Sequence, residues 1–516
     1  MKRYLFYSIS TLLLIGCSLD EEPKDQIPED EAYTTVESLY QNTVATLYNY
    51  ICGNTDGQGL QGTCRGVYDL QTFGSDEAML PTRGIDWYDG GLWQAMYKHS
   101  WNPGHELLGN SWKYLYKVIT LCNNSLEKLE EHKELAGEYL IQWQAEVRAL
   151  RAIFYWYLID LFGDVPLVVS TTVSMNDVQS SERAAVFDFI VGELESTLSD
   201  LPPVNSVEHG IFYGHITQPV SLFVLAKLML NAPVYTGRTS NKYYISCIEY
   251  CDEIENCGFQ LEGFYDNNFE SNNELSRENI FVIPMDKNLY SNQQQNIYRS
   301  LHYRHAAGLG FTGENGTCAT RRALEIFGYF DEEPDIRFYH NFYSDYLVDT
   351  DGEFITDRTG KVLKYVPEAV ELDLSNSPYI ETAGARMRKY VVDVNNTKDG
   401  KLMDNDIVLF RFADVLLMRA EAKERLGESG QAELDLVRKR ATVSLKPCTL
   451  ESLLDERMLE LCWEGWRRQD LIRFGKYRSL YTGPDAVDES DGHTTVFPIP
   501  GDVVTLNNKI HQNKGY

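Results

Sequence analysis

A stretch early in the chain sets aromatic rings among carboxylates and a guanidinium group. It reads PTRGIDWYDGGLW, spans residues 81–93 and is rich in glycine. A sugar has apolar C–H faces and a rim of hydroxyls, so it suits an aromatic ring beneath it and charged groups at its edge. For Trp93, as for Trp101, packing of the loop onto helices is the favoured alternative. The predicted ligand-binding residues of this region are Asp76, Arg83, Asp86, Trp87, Tyr88 and Trp93.

A second aromatic stretch lies at residues 288–316 and reads NLYSNQQQNIYRSLHYRHAAGLGFTGENG. Neither a helical nor a strand period organises its tyrosines, so a buried core face explains them poorly. Tyr290 and Tyr303 are therefore predicted to contact the ligand as well. Tyr329 and Phe330, further along the chain, fit packing as readily as binding.

Catalytic and metal motifs are absent from the sequence. With 76 acidic residues, pairs of carboxylates are inevitable and do not by themselves indicate a glycosidase. No nucleophile elbow, zinc motif or phosphate loop is found. The sequence predicts a protein that is not an enzyme and has no cofactor or metal, with a surface glycosidase as the disfavoured alternative. Asp349, Asp351 and Glu353 lack the full spacing of a calcium loop and fit a solvated turn, although bound calcium is left open.

The composition narrows the classes of partner. The chain has 47 Lys and Arg against 76 Asp and Glu, a formal net charge of −29. A chain this acidic repels phosphate backbones and anionic membrane surfaces, which argues against nucleic-acid binding. Among its ten cysteines, Cys247 and Cys251 share one face of a predicted helix and are expected to be buried thiols. Cys52 and Cys64 flank a Gly-rich loop, and their pairing is left open.

The N-terminus has the parts of an export signal. Two basic residues precede an apolar run that is too short for a membrane span of roughly 20 residues. Residues 1–16 are predicted to be a signal peptide. The Leu-Ile-Gly-Cys sequence before the acidic stretch resembles a bacterial lipobox, so Cys17 is the predicted lipidation site; an ordinary signal peptide is the alternative. Residues 17–32 are predicted to be an extended acidic tether.

Apolar spacing predicts a helical scaffold. Residues 141–162 repeat apolar side chains every three or four positions, and Gly163 and Pro166 follow as stop signals. ITQPVSLFVLAKLMLNAPVYTG is apolar nearly all round, as a buried helix is, and NKYYISCIEYCDEIENCGF is its predicted antiparallel partner. No apolar segment after the signal is expected to be long enough to cross a membrane. Helix–turn–helix pairs of this kind suggest tetratricopeptide-like units, although no strict 34-residue repeat is visible.

Two later regions complete the predicted elements. NDIVLFRFADVLLMRAEAKERLG places Phe410, Ala413, Leu417 and Ala420 on one helical stripe that Gly427 closes. Residues 260–400 are rich in Asn, Gly, Tyr and Asp and contain short strand-like runs, IFVIP and RKYVVDV. So long an irregular region is usually functional.

Four segments together resemble the SusD/RagB family of outer-membrane nutrient-binding lipoproteins. They are the lipobox with its acidic tail, SDEAML…NNSLEKL at 75–129, the segment at 405–427, and LLDERMLELCWEGWRRQDLIRFGKY with its ending VFPIPGDVVTLNNKIHQNKGY. The most specific parts are Glu-Gly-x-Arg-x-x-Asp-Leu-x-Arg at 464–473 and Pro-Ile-Pro…Gln-Asn-x-Gly-Tyr at 498–516.

The resemblance carries several expectations. It implies a mainly α fold with tetratricopeptide-like helix pairs, built as one compact unit of an N-terminal half, 33–235, and a C-terminal half, 236–516. It implies a lipid-anchored protein on the outer membrane that faces the cell exterior, captures oligo- or polysaccharide and delivers it to a SusC-type TonB-dependent transporter. An aromatic residue in the 81–93 loop contacts ligand in family members, which favours Trp87. The alternatives are a passive transporter lid and a peptide-binding protein without glycan affinity.

The C-terminal motif is expected to stabilise the fold and not to bind ligand. Its charged residues are placed on one predicted helix, with acids three to four positions from arginines, which favours intrahelical pairs. The predicted members of this ion-pair network are Glu460, Glu464, Arg467, Arg468, Asp470 and Arg473.

Overall fold

Long helices form the frame of the protein. The computed structural model describes residues 32–53, 55–206, 210–289, 295–310, 312–357, 359–392 and 403–516. The long helices are Glu106–Glu131, Leu140–Phe162, Arg183–Thr197, Gln218–Thr236, Asn241–Asn256, Phe412–Leu426, Gln431–Arg440 and Leu450–Leu461. The mainly α fold predicted from the sequence is confirmed.

Consecutive long helices pack on each other as helix pairs. Leu140–Phe162 packs against both Glu106–Glu131 before it and Arg183–Thr197 after it. Gln218–Thr236 packs along Asn241–Asn256, the partner predicted from the sequence. Asn241–Asn256 in turn contacts Phe412–Leu426, so the C-terminal helices continue the same array.

Glycine ends the helices where the sequence predicts a stop. Gly163 follows Leu140–Phe162 with a φ of 72°, and Gly427 follows Phe412–Leu426 with a φ of 79°. A positive φ is costly for residues with a Cβ atom, so glycine suits these positions. Pro166 then lies in a short strand and not in a helix.

The helix Gln218–Thr236 corrects the expectation about membrane-spanning segments. It is long and apolar enough to cross a membrane, but 83% of its most apolar window is buried inside the protein. Neighbouring helices cover it on several sides, as its all-round apolar sequence predicts. We therefore interpret it as a core helix.

Short helices occupy the connections between the long ones. The α-helical pieces are Val36–Tyr40, Thr46–Tyr48, Val67–Thr72, Leu92–Tyr97, Lys133–Ala136, Gln295–Ser300, Tyr303–Gly308, Arg321–Ile326, Arg337–Asn341, Arg467–Arg473 and Gly501–Leu506. A π-helical turn spans Gln41–Ala45. The 3₁₀ turns are Asp89–Gly91, Gly137–Tyr139, Met175–Asp177, Leu198–Asp200, Gly210–Phe212, Tyr265–Asn268, Asn273–Leu275, Pro367–Ala369 and His493–Thr495.

The strands form small antiparallel pairs. Ala78–Met79 pairs with Cys318–Ala319, Val165–Pro166 with Ser180–Ser181, Asn279–Ile283 with Ile407–Arg411, and Phe342–Tyr343 with Arg386–Met387. In the longest pair, Ile283 lies opposite Ile407 and Val282 opposite Val408.

The strand pairs confirm one strand prediction and correct two others. IFVIP is a strand, as predicted. RKYVVDV has no strand assignment in its described part, because the pairing lies just before it at Arg386–Met387. The segment at 405–427 is not one helix: Ile407–Arg411 is a buried strand and the helix begins at Phe412. Phe410 therefore packs from the strand and not from the predicted helical stripe.

Most buried apolar residues belong to one continuous core. It runs from Leu39 to Ile510 and includes the helices predicted to be buried. A second, small cluster is separate from it and consists of Leu347, Ile355, Leu363 and Tyr365. This small cluster lies within the irregular region between residues 260 and 400.

The C-terminal motif is an ion-pair network, but it does not lie on one helix. The helix Leu450–Leu461 stops before a turn in which Trp463 and Gly465 have φ values of 68° and 76°, and a new helix starts at Arg467. The break turns Glu464 away from Arg467 and Arg468. The predicted intrahelical pairs between the acids and these arginines are therefore wrong.

The motif instead joins distant parts of the chain. Glu460 and Glu464 both contact Arg411, at 2.7 and 2.8 Å. The other long-range pairs are Arg467 with Asp76 at 2.6 Å, Arg468 with Asp160 at 3.2 Å and Arg473 with Glu421 at 2.7 Å. These charges are almost fully buried, so the network links the C-terminal segment to residues early and late in the chain.

The cysteines of the described chain carry free thiols. Cys247 and Cys251 are buried in the Asn241–Asn256 helix, as predicted. Cys52 and Cys64 are both free and buried, and burial raises the pKa of each thiol to about 12.

Candidate functional site

A tight turn opens the predicted binding loop. The Arg83 N–H donates to the Asp86 carbonyl at 2.9 Å and the Asp86 N–H donates to the Arg83 carbonyl at 3.2 Å. Gly84, at the tip, has a φ of 70°, which a residue with a side chain rarely adopts. The Ile85 side chain is 95% exposed, so the turn projects from the surface.

Trp87 lies directly behind this turn and is half-buried. Its φ of 60° is unusual for a non-glycine residue. The indole N–H donates to the Glu314 carbonyl at 3.0 Å, and the ring lies on Gly316, where a Cβ atom would be only 2.8 Å from its Cε2. Trp87 is therefore only partly exposed, and its ring fixes the loop to residues 314–316.

Two exposed tyrosines accompany Asp86. Tyr88 is 52% exposed and Tyr303 is 43% exposed. The Tyr303 hydroxyl donates to Asp86 Oδ2 at 3.1 Å. Desolvation, together with the hydrogen bond to Asp86, raises the pKa of Tyr303 to about 12, so the phenol stays protonated at neutral pH. We call the surface formed by Asp86, Trp87, Tyr88 and Tyr303 the aromatic patch.

Arg83 supports the patch from below and does not reach its surface. Its guanidinium group is buried and donates to the carbonyls of Ile380 and Ala383 at 2.6 and 2.9 Å. Burial, with a further contribution from Arg386, lowers the pKa of Arg83 to about 9. The prediction that Arg83 contacts ligand is corrected here: it holds the turn against the segment 377–383.

Trp93 and Asp76 also have supporting positions. Trp93 is 1% exposed, and its indole N–H donates to Asp89 Oδ2 at 2.8 Å. The Asp76 carboxylate is buried and accepts two hydrogen bonds from Arg467 at 2.6 and 3.0 Å. Both side chains are buried and held by other parts of the protein, which argues against the predicted direct contact of either with a ligand on the aromatic patch. For Trp93 the structure confirms the packing alternative.

The other residues singled out from the sequence lie on the surface, in the interior or in segments that the structure does not describe. Tyr290 and Cys17 lie outside the described residues, so their predicted roles stay predictions. Trp101 is buried and donates to the Tyr516 hydroxyl at 2.8 Å, which confirms its packing role. Tyr329 is partly buried and its hydroxyl donates to Glu368 at 3.0 Å, whereas Phe330 is 45% exposed.

The segment 377–383 is part of the site and was missed from the sequence. Tyr379 is 44% exposed, and Glu381 Oε2 lies 3.3 Å from His302 Nε2, next to Tyr303. His302 Nδ1 accepts from the Arg304 N–H, which leaves Nε2 as the donor to Glu381. Burial lowers the pKa of His302, in keeping with a neutral ring. No motif near SPYIETAGA signals this contact, because it depends entirely on tertiary packing.

The exposed groups of the patch suit a ligand that has both apolar faces and hydroxyl groups. Exposed rings offer apolar faces, and Asp86 and Glu381 offer acceptors for hydroxyl groups. Among the described residues, no group of three or more His, Cys, Asp or Glu side chains is arranged to hold a metal ion. In the Asp349 turn, the Asp349 carboxylate accepts from the N–H groups of Asp351 and Glu353 at 3.0 and 2.9 Å.

Comparisons with known proteins cover most of the chain. A model described as the SusD family matches residues 277–516, and one described as starch-binding associating with outer membrane matches residues 66–229. The starch-binding protein SusD of Bacteroides thetaiotaomicron is 27% identical over 513 residues, covering 89% of this chain and 87% of that protein.

Solved structures share the fold. A laminarin-binding SusD-like protein is similar with a TM-score of 0.69 at 20% identity, over 94% of this chain and 100% of that one. Surface glycan-binding protein A from Bacteroides thetaiotaomicron, in complex with laminarihexaose, is similar with a TM-score of 0.71 at 19% identity, over 93% of this chain and 100% of that one.

Proposed function

We propose that this chain, which belongs to the SusD/RagB family, is a cell-surface lipoprotein that binds oligo- or polysaccharide and delivers it to a TonB-dependent outer-membrane transporter. The observation that carries the proposal is the aromatic patch. Its exposed tyrosines are Tyr303, which hydrogen-bonds to the Asp86 carboxylate, and Tyr88, two positions after Asp86, and the loop is fixed by buried contacts of Arg83.

The patch has the chemistry that a sugar needs. Tyr88 and Tyr303 provide ring faces for C–H groups, and Asp86 provides acceptors for hydroxyl groups. Trp87 and Arg83 hold the loop in place through hydrogen bonds to main-chain carbonyls. Because the loop is already ordered, binding costs little conformational entropy.

The named relatives favour a glycan ligand. One binds starch and two similar structures are of a laminarin-binding protein and a laminarihexaose complex. These ligands are those of the related proteins. Starch and laminarin are both neutral glucose polymers, and we propose a ligand of this chemical class for the present chain. A passive lid and a peptide-binding protein are the alternatives that binding experiments must exclude.

Affinity electrophoresis tests the ligand directly. The chain from Ser18 onward keeps every residue of the described fold and is run in native gels that contain starch, laminarin or polygalacturonate. We expect a neutral polymer to retard it. Replacing Tyr88 or Tyr303 with alanine should reduce the affinity by about tenfold, the equivalent of about 1.4 kcal/mol.

Tyr139 supplies the matched control. It is 48% exposed, much like Tyr88 and Tyr303, but it lies at the start of the Leu140–Phe162 helix and outside the segments of the patch. Tyr139→Ala should run as the wild type does. Wild-type protein that no polymer retards would overturn glycan binding and favour the lid or a peptide ligand.

The lipid anchor and the outer-membrane location rest on residues outside the described fold. We propose that Cys17 carries the lipid and that residues 17–32 form the tether. Cys17→Ala, expressed with its signal in the native host, should leave the outer-membrane fraction while the protein still folds. Retention of the variant in that fraction would argue against lipidation at Cys17.

The transporter partnership and the division into halves at 235 and 236 also stay proposals. Co-purification of the lipidated protein with a TonB-dependent transporter from the outer membrane would test the partnership. A Tyr88→Ala variant should still co-purify, because we assign the patch to the glycan and not to the transporter.

A further inference from the structure

A three-stranded ridge stands beside the aromatic patch. Its segments pair in antiparallel order through bridges between Tyr346 and Lys364, Val348 and Phe354, and Thr356 and Val362. The alternate side chains Leu347, Ile355 and Leu363 point inward and form the small hydrophobic cluster with Tyr365. The ridge therefore has its own support, and its outer side chains are free to face solvent.

Tyr346 is the residue at which two clefts meet. It is 56% exposed, and both clefts are lined by it and by Lys364. The near cleft, with a volume of about 420 Å³, lies between the ridge and the segment 378–382. The far cleft, with a volume of about 560 Å³, lies between the ridge and residues 329–345.

The near cleft begins where the aromatic patch ends. Ile380 and Glu381 line this cleft. Arg83 donates to the Ile380 carbonyl, and Glu381 lies 3.3 Å from His302, the neighbour of Tyr303. The turn that carries the patch and the wall of the near cleft are therefore one connected structure.

The far cleft repeats the chemistry of the patch. Tyr329, Tyr339 and Tyr343 line it above a floor of buried phenylalanines. The Arg388 guanidinium group lies over the Tyr343 ring, 5.6 Å from its centroid, so the cleft combines aromatic rings with a guanidinium group. Tyr339 is 46% exposed. Apolar faces beside donors and acceptors are what a pyranose ring requires.

The charges of the two clefts nearly cancel. In the described lining of the near cleft, Asp357 and Glu381 face Lys361 and Lys364. The far cleft has three acids, Asp331, Glu332 and Asp345, against Lys364 and Arg388. A polyanionic glycan needs a surplus of positive charge, which neither lining provides in a chain of net charge −29.

We infer that the two clefts and the Tyr346 ridge form a second binding segment, continuous with the aromatic patch, for the same neutral glycan chain. The inference rests on the proposed function and specifies its ligand: a neutral oligosaccharide that extends past Tyr303 and over Tyr346. Once part of the glycan is bound at the aromatic patch, its next sugar units meet the second segment at a high effective concentration. Affinity therefore rises with ligand length.

Calorimetric titration of two ligand lengths tests the inference. Laminarihexaose is compared with laminaribiose, and maltohexaose with maltose, on the chain from Ser18 onward. In the series that the protein binds, whether laminari- or malto-oligosaccharides, the hexasaccharide should bind at least about tenfold more tightly than the disaccharide. Tyr346→Thr and Tyr339→Ala should each weaken hexasaccharide binding about fivefold or more and change disaccharide binding less than about twofold.

Phe354→Thr controls for damage to the ridge. Phe354 is 61% exposed on the same ridge, with its ring 6.1 Å from that of Tyr346, but it lines neither cleft. This variant should bind both lengths as the wild type does. Thermal melting checks that all three variants remain folded.

The outcomes separate this inference from the proposed function. Wild-type hexasaccharide affinity in both Tyr346→Thr and Tyr339→Ala, together with a loss in Tyr88→Ala, would overturn the second segment and leave glycan binding intact. Retardation by polygalacturonate alone would overturn the neutral class. Failure of every glycan to bind the wild type would overturn both proposals.

Discussion

The hydroxyl of Tyr303 donates to Asp86 Oδ2 at 3.1 Å across 217 positions of sequence. This contact closes the aromatic patch, because it joins the turn at residues 83–86 to the start of the Tyr303–Gly308 helix. The phenol is a permanent donor at neutral pH, since its pKa is raised to about 12. One Asp86 oxygen is thereby committed to Tyr303, and the other remains for a ligand hydroxyl.

Tyr303→Phe should weaken glycan binding by about two- to tenfold through loss of orientation of Asp86, in line with the net contribution of about 0.5–1.5 kcal/mol that a typical hydrogen bond makes. The ring face is kept, so the loss should be smaller than in Tyr303→Ala. Calorimetric titration with the polymer that retards the wild type measures both. Equal losses in the two variants would show that the hydroxyl, and not the ring, carries the contribution of Tyr303.

Gly316→Ala should displace Trp87 without touching the exposed rings. The added Cβ atom would lie 2.8 Å from Trp87 Cε2 and 3.0 Å from the Arg299 carbonyl, too close for either to stay in place. Overpacking of this kind costs about 1–3 kcal/mol of stability. We expect glycan affinity to fall about tenfold, with a shift in tryptophan fluorescence.

Gly109→Ala is the control for that substitution. Gly109 lies in the Glu106–Glu131 helix, and an added Cβ atom there meets nothing within 4 Å. Alanine should leave binding unchanged and stabilise the helix by about 0.5–1 kcal/mol. Unaltered binding in Gly316→Ala would mean that Trp87 does not position the patch.

The helices and part of the patch could be predicted from the sequence because their causes are local. Spacing of apolar residues and the stop signal at Gly163 define the Leu140–Phe162 helix. Asp86, Tyr88 and Tyr303 stand out because aromatic and acidic residues in Gly-rich segments have no core period to explain them.

The features of the fold and of the site that could not be predicted from the sequence depend on contacts between distant segments. Arg83 resembles a ligand-binding arginine in sequence, and only the packing of the segment 377–383 buries it. Ile407–Arg411 reads as the start of a helix, but its strand partner at Asn279–Ile283 decides the outcome. The pairing of Glu460 with Arg411 on this strand has the same cause. Long-range pairing overrides local spacing in each case.

Arg411→Ala should destabilise the protein strongly while leaving the patch intact. Its guanidinium group contacts Glu278, Glu460 and Glu464 at 2.7, 2.7 and 2.8 Å, and all four side chains are buried. Removing the cation leaves buried carboxylates short of a partner, which costs about 3–5 kcal/mol. Urea denaturation measures the loss.

Arg238→Ala provides a surface comparison. Arg238 pairs with Asp188 at 3.0 Å, and both side chains are about half exposed. A pair of this kind contributes at most about 1 kcal/mol. A loss in Arg411→Ala no larger than in Arg238→Ala would contradict a stabilising role of the buried network.

Glu77→Gln should change how stability depends on pH. Burial raises the pKa of Glu77 to about 8, although the Trp463 N–H, Lys389 and Arg467 oppose the shift. In the unfolded chain a glutamate titrates near 4.3. The folded state therefore binds a proton that the unfolded state releases between these values, and stability falls as pH rises from about 5 to 8.

The pH dependence of the stability difference between Glu77→Gln and the wild type isolates the titration of Glu77. A single group contributes at most about 1.4 kcal/mol per pH unit, and glutamine keeps the acceptor for Trp463 while it removes the titration. Urea denaturation at pH 5, 6.5 and 8 should therefore show the variant gaining stability relative to the wild type at each step upward. The carboxylates paired with arginines elsewhere in the chain titrate alike in both proteins and cancel in the difference. A difference that stays constant across the three pH values would mean that Glu77 is already ionised at pH 5 in the folded protein.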